Sequence, residues 1–161
     1  MKIYLMKYLL VLFFFLSILR IDNVYLFASE KKAIDFKLID IDDQWVDLAS
    51  YKGKSAVLLL FWATWCPYCR RELRVLKEKY DSIKDSLELL VIDIEESKER
   101  IRDFLKKNNL GSLRVLLDRD GSVAYAYRIL GVPTYVLIDK EGNIVFMGYH
   151  FPHDYKELIL R

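Results

Sequence analysis

The sequence predicts an α/β fold with a mixed central sheet, flanked by helices and extended by an N-terminal β-hairpin. Residues 55–62 form a continuous apolar run, as expected of a strand buried on both faces, and residues 87–94 predict a second buried strand. Each is followed by a segment with helical spacing of apolar residues, as in consecutive β-α units with parallel strands. Two further apolar segments near the C-terminus, joined by a short turn, predict an antiparallel hairpin that closes the sheet.

Residues 1–28 have the features of a signal peptide or an N-terminal membrane anchor. Lys2 and Lys7 precede an apolar run over residues 8–19, and this order is typical of a secretory leader. Cleavage after Ala28 and retention as an uncleaved anchor both remain open. In either case the positive end stays cytoplasmic, so we expect the rest of the chain to lie outside the cytoplasm.

One domain follows the leader. Residues 29–33 form a polar spacer, and residues 34–161 form the domain. The leader accounts for the whole formal net charge of +2, so the remainder of the chain is neutral. A neutral domain shows no electrostatic footprint for nucleic acid, and we expect no nucleic-acid partner.

The first elements of the domain follow in order. Residues 34–54 alternate apolar and polar side chains around Asp42 and Asp43, which predicts the hairpin. The first buried strand comes next, and a helix over residues 69–83 follows it. That helix places five side chains on one face: Cys69, Leu73, Leu76, Tyr80 and Ile83.

The second half continues the strand–helix alternation in shorter units. After the second buried strand, a helix begins with Ser97 as its N-cap and ends before Gly111. The remaining predicted elements are a strand, a short helix, two strands and a final helix: residues 113–118, 122–130, 134–139, 143–149 and 153–160.

Both cysteines of the chain, Cys66 and Cys69, lie directly after the first buried strand, where α/β sheets bind ligands. A sulfur at a helix start faces free N–H groups and the positive end of the helix dipole, which favour its thiolate. Pro67 suits the first helical position because no N–H is needed there. We therefore expect an exposed Cys66 to attack a disulfide and the deeper Cys69 to resolve the mixed disulfide.

Two segments, FWATWCPYCRREL (61–73) and GVPTYVLIDKEGNIV (131–145), resemble the thioredoxin superfamily. The resemblance is greatest to the TlpA/ResA/CcmG-like extracytoplasmic thiol–disulfide oxidoreductases, and it covers residues 34–161. It implies a thioredoxin-like fold in which Pro133 is a cis-proline packed beside the cysteines. A cis bond there would present the backbone of Val132 to a substrate peptide as a short strand partner.

The resemblance assigns proton transfer to Glu72. TlpA/ResA-type proteins carry a glutamate three residues after the second cysteine, whereas the buried aspartate of thioredoxin is replaced here by Leu60. At about 100° per residue, Glu72 lies roughly 60° from the centre of the apolar stripe. A half-buried carboxyl at this place would accept the proton of Cys69 as that thiol resolves the mixed disulfide. The alternative is a surface glutamate in a charged helix.

The side chains around the cysteines are expected to bind the substrate peptide. Trp65 directly precedes Cys66 and Tyr68 directly precedes Cys69, and with Pro67 they would form the contacting surface. Relatives commonly place proline directly before the second cysteine, where this chain has Tyr68. Because the intervening pair influences the thiol pKa and the reduction potential, the sequence leaves reductant, oxidant and isomerase open.

The sequence thus predicts an enzyme that needs no cofactor and no metal, a thiol–disulfide oxidoreductase at the outer face of the cytoplasmic membrane. The resemblance implies that its substrates are disulfide-containing exported proteins, such as apocytochrome c. It implies further that the enzyme reduces them, with electrons from a membrane thiol transporter.

Two other functions fit the sequence less well. A metal-binding or metal-delivery module would use the Cys-x-x-Cys pair with His150 or His153, but these histidines are spaced more closely than in zinc fingers. A peroxidase of the peroxiredoxin type would have proline and threonine where this chain has Leu59 and Ala63. The metal module remains the alternative hypothesis.

Overall fold

The computed structural model describes residues 31–160. Its strands are β1 (Lys37–Ile39), β2 (Trp45–Asp47), β3 (Ala56–Trp62), β4 (Leu87–Ile94), β5 (Val115–Asp118), β6 (Thr134–Ile138) and β7 (Ile144–Gly148). Its helices are α1 (Pro67–Ile83), α2 (Lys98–Lys107), α3 (Ser122–Ala126) and α4 (Tyr155–Leu158), and a 3-10 turn spans Leu48–Tyr51.

The central sheet has five strands in the order β5-β4-β3-β6-β7. Strands β3, β4 and β5 are parallel, while β6 and β7 run antiparallel to their neighbours. All seven residues of β3 are buried, because this strand is central and both faces of the sheet are covered. The separate antiparallel pair β1–β2 is the predicted N-terminal hairpin, so the mixed sheet and its extension are confirmed.

The two faces of the sheet carry different partners. Leu58, Leu60 and Trp62 of β3 point into a cluster that contains both cysteines and the apolar sides of α1, α2 and α4. Leu59 and Phe61 point to the opposite face, which the hairpin and α3 cover. We call the face with Leu58, Leu60, Trp62 and both cysteines the α1 face.

The predicted helix over residues 122–130 is too long. Helix α3 ends at Ala126, and Arg128 adopts a left-handed conformation with φ of 56°. A non-glycine residue in that region interrupts a right-handed helix, so the chain leaves the helix before the predicted end. Strand β5 likewise begins at Val115 rather than at residue 113.

The predicted leader, residues 1–28, lies outside the described residues, as do residues 29 and 30 of the polar spacer. Within residues 31–160, none of the helices combines the length and the apolar character that a bilayer crossing requires.

Candidate active site

Cys66 and Cys69 form a disulfide at the start of α1, with their Cα atoms 5.3 Å apart. Cys66 is the N-cap residue, its backbone is extended, and its Sγ accepts the backbone N–H of Cys69 at 3.1 Å. Pro67 is the first helical residue, as its lack of an N–H favours. The predicted placement of the first sulfur at the helix start is therefore confirmed.

The two sulfurs differ in depth, but by less than expected. Cys66 is 3% exposed and Cys69 is fully buried. The expectation of an exposed Cys66 was thus wrong for the disulfide-bonded protein, because its Sγ lies 3.4 Å from the carbonyl oxygen of Val132 and packs within the α1-face cluster. The narrow exposed edge of Cys66 remains the side from which a substrate sulfur can approach.

The predicted substrate-binding residues fall into two groups. Trp65 is 62% exposed and Tyr68 is 74% exposed, so both contribute to the surface in the segment that carries Cys66, and Pro67 is exposed as well. The Val132–Pro133 bond is cis, as the resemblance implied. Val132 is half-buried and brings its carbonyl to Cys66, whereas Pro133 is buried behind it.

Glu72 lies on the same face of α1 as Cys69 and is 8% exposed, which is deeper than the half-buried position expected. The hydroxyl of Tyr135 on β6 donates a hydrogen bond to its Oε2 at 2.8 Å. Burial, and secondarily the charge of Glu72, raises the pKa of Tyr135 above its ordinary value, so the hydroxyl keeps its proton. Sequence reasoning missed Tyr135, which appears there as one residue of an apolar strand.

A second carboxylate, Glu96, holds the loop that leads to Cys66. The backbone N–H of Thr64 donates to its Oε2 at 2.5 Å, and the Thr64 hydroxyl donates to its Oε1 at 2.6 Å. Arg100, one turn further along the chain, forms an ion pair with the same Oε1, with its Nε at 2.7 Å, and donates a hydrogen bond from Nε to the Thr64 hydroxyl oxygen at 2.9 Å. Glu96 is nearly fully buried, so these charge-assisted bonds fix the backbone two residues before the attacking sulfur.

Replacing Glu96 by glutamine is expected to loosen this loop. The glutamine amide places an NH₂ donor where a carboxylate oxygen accepts a hydrogen bond from Thr64, so one of these bonds is lost. We therefore expect E96Q to lower the free energy of unfolding by about 1–3 kcal/mol. Denaturant unfolding measures this loss. The matched control is D81N, which removes the carboxylate from the exposed Lys84–Asp81 pair and should leave the free energy of unfolding unchanged. Equal losses in both variants would contradict the role given to Glu96.

Asp93 is a third carboxyl on the α1 face, beside Trp62 in the β3–β4 register. It is 1% exposed, and among residues 31–160 neither its carboxyl oxygens nor Trp62 Nε1 has a hydrogen-bond partner. Burial raises the pKa of Asp93 to about 8, with a further contribution from the neighbouring Glu96. Asp93 therefore carries a proton at neutral pH. In sequence, its only signal was an acidic residue inside an apolar run.

The histidines considered for a metal site do not join the cysteines. The ring of His153 packs against Phe151, with ring centroids 5.4 Å apart. Within the described part of the chain, there is no group of three or more His, Cys, Asp or Glu side chains placed to hold a metal ion.

Comparison with known proteins agrees with this geometry. Residues 30–147 match the AhpC/TSA family. Thiol-disulfide oxidoreductase ResA of Bacillus thuringiensis subsp. konkukian is 32% identical over 71% of this chain, and the match spans 66% of that relative's length. The ResA protein of Bacillus subtilis is 34% identical over 79% of this chain and 73% of its own length.

A solved structure shows the same fold. The exposed lipoprotein thioredoxin Etrx1 of Streptococcus pneumoniae superposes with a TM-score of 0.66 and 31% identity, covering 79% of this chain and 96% of that one. The fold is therefore thioredoxin-like, as the motifs implied. The chain belongs to the AhpC/TSA family of thioredoxin-like proteins, among relatives named as thiol–disulfide oxidoreductases.

Proposed function

We propose that this protein is a thiol–disulfide oxidoreductase that reduces disulfides of exported proteins at the outer face of the cytoplasmic membrane. The observation that carries the proposal is the Cys66–Cys69 disulfide at the start of α1, with its outer sulfur beside the Val132 carbonyl. A pair of sulfurs that closes reversibly at a helix start can take two electrons from a substrate or deliver them to it.

The reaction begins with the dithiol form. The Cys66 thiolate attacks one sulfur of a substrate disulfide; the substrate S–S bond breaks, and the departing thiolate takes up a proton. Cys69 then gives its proton to the Glu72 carboxylate and attacks Cys66 Sγ. The mixed disulfide breaks, the second substrate thiolate leaves and receives the proton, and the protein is left as the disulfide described above.

Substrate binding rests on the surface around the outer sulfur. The rings of Trp65 and Tyr68 are exposed and offer apolar contact area to an extended peptide. The backbone of Val132 lies next to Cys66 and would pair with that peptide as a strand edge. These contacts use backbone and aromatic groups, so they accept many sequences around a substrate cysteine.

The proposed location rests on the leader and on one relative. Residues 1–28 combine a basic start with an apolar run, as in exported proteins. Etrx1 is described as an exposed lipoprotein. An extracytoplasmic disulfide returns to the dithiol only with an electron donor, and a membrane thiol transporter supplies that role in the proposal.

The purified protein should reduce two test substrates with dithiothreitol as electron donor: insulin, and a peptide disulfide with the Cys-x-x-Cys-His pattern of apocytochrome c. Faster turnover of the second substrate supports the cytochrome-type role. The competing metal module is tested on the same preparation by metal analysis under reducing conditions. One metal ion per chain that is lost in C66S, together with no reductase activity, would replace the redox proposal with metal binding.

A further inference from the structure

The hydrogen bond between Tyr135 and Glu72 joins two elements that are distant in sequence. Glu72 follows Cys69 on α1, and Tyr135 lies two residues after the cis-proline on β6. Glu72 is therefore on the helix that carries the resolving Cys69, and Tyr135 is on the strand that follows the loop facing the attacking Cys66. The donor–acceptor distance of 2.8 Å is that of a well-formed hydrogen bond.

The residues packed around Tyr135 offer its hydroxyl few hydrogen-bond acceptors. The side chain is fully buried on the α1 face, its strand partner is Leu60, and the ring of Phe151 packs edge-on against it at 6.2 Å. Apolar neighbours offer no acceptor, and a buried hydroxyl without one is costly. The ring is thus held by packing, and the packed ring aims its hydroxyl at the Glu72 carboxylate.

The contact also constrains the carboxylate. Within residues 31–160, no other hydrogen bond to the Glu72 carboxyl is formed, and no lysine or arginine nitrogen lies within 4 Å of it. The Tyr135 donor occupies Oε2, so Oε1 is the oxygen left to accept a proton. A donor to an ionised carboxylate favours the charged form, which is the form a general base requires.

We infer that Tyr135 is a positioning residue for the resolving step, which holds Glu72 as an oriented carboxylate ready to take the proton of Cys69. This inference rests on the proposed thiol–disulfide exchange. When Cys69 gives up its proton, Oε1 of Glu72 accepts it and the Tyr135 hydroxyl keeps its own proton on Oε2. The accepted proton then passes to the departing substrate thiolate, so Tyr135 is unchanged at the end of the cycle.

The test separates the two exchange steps in the full-length reduced protein. An aromatic disulfide that releases a coloured thiolate is added in excess. The first release reports attack by Cys66, and the second reports attack by Cys69 on the mixed disulfide. C69S identifies the two phases, since it should retain the first and lose the second.

The Y135F variant removes the hydroxyl and keeps the ring. We expect the first phase to be unchanged and the second phase to slow by about tenfold at neutral pH, the effect of one lost hydrogen bond to a charged group. The pH at which the second phase reaches half its maximal rate should move upward, because the carboxylate has lost a hydrogen-bond donor. The matched control is Y127F. The Tyr127 hydroxyl lies on the opposite face of the sheet and donates a hydrogen bond of the same length to the carbonyl oxygen of Ile34, so its removal should alter neither phase.

A double-mutant cycle shows whether Tyr135 acts through Glu72. In an E72Q background, Y135F should slow the second phase no further, because the group it positions is gone. An equal slowing in both backgrounds, or equal slowing of both phases, would overturn the inference and leave Tyr135 as a packing residue. Failure of the wild-type protein to release any coloured thiolate would instead overturn the proposed function itself.

A second variant covers the case in which Y135F does not fold. Replacing Tyr135 with a ring-fluorinated tyrosine keeps the shape and makes the hydroxyl a stronger donor. The half-maximal pH of the second phase should then move downward, and an unchanged or upward value would contradict the inference.

Discussion

C66S should lose disulfide reductase activity, by about a thousandfold or more, because the attacking nucleophile is removed while the rest of the site is kept. Serine is close to cysteine in size, and its hydroxyl is a much weaker nucleophile at neutral pH. The exposed edge of the disulfide belongs to Cys66, and Cys69 is fully buried, so the remaining thiol has no path to a substrate sulfur. Insulin reduction with dithiothreitol measures the loss.

C69S is the informative control for this prediction. It keeps the attacking sulfur and removes the resolving one, so it should form the mixed disulfide and then stall. Substrate bound covalently to C69S, and absent from C66S, supports the assigned order. Comparable residual turnover in the two variants would contradict it, since the two sulfurs would then be interchangeable.

D93N is expected to make stability less dependent on pH. The folded protein holds Asp93 with a pKa raised to about 8, because the carboxyl is buried beside Glu96, whereas the ordinary value is 3.8. Between these values the folded state binds one proton more than the unfolded state, so stability is full below about pH 4 and is lost as the pH rises towards 8. Each pH unit in this window changes the free energy of unfolding by up to about 1.4 kcal/mol.

The asparagine side chain does not ionise, so D93N should gain stability relative to the wild type by about 3 kcal/mol between about pH 5 and pH 8. Denaturant unfolding at a series of pH values measures the difference. The control is D118N, at the end of the neighbouring strand, where both carboxyl oxygens accept backbone N–H groups of α3. D118N should lose stability at every pH. A constant difference between D93N and the wild type would contradict the protonated state of Asp93.

The sequence predicts those features that depend on the local spacing of apolar residues. The apolar face of α1, its start at Pro67 and the run that forms β4 are all readable because neighbouring residues determine them. The motif around Cys66 and Cys69 is readable for the same reason, since one strand end and one helix start produce it.

The polar groups around the cysteines could not be placed this way. Tyr135, Glu96 and Asp93 meet the site only through pairing of β3 with β4 and β6 and through the return of the chain into α2. Their depth depends on that register, which a single sequence does not define. The same reason explains the wrong expectation for Cys66, whose cover comes from Val132, sixty-six residues away.

The most direct test of the central claim is competitive alkylation of the reduced protein. A limiting amount of iodoacetamide is added over a range of pH, and mass spectrometry of peptides identifies which sulfur reacts. If Cys66 at the helix start is the attacking sulfur, it is modified first. Its reactivity should be half-maximal at a pH below about 8.5, which is the pKa of a free cysteine thiol. Preferential modification of Cys69, or equal rates at both sulfurs, would contradict the account.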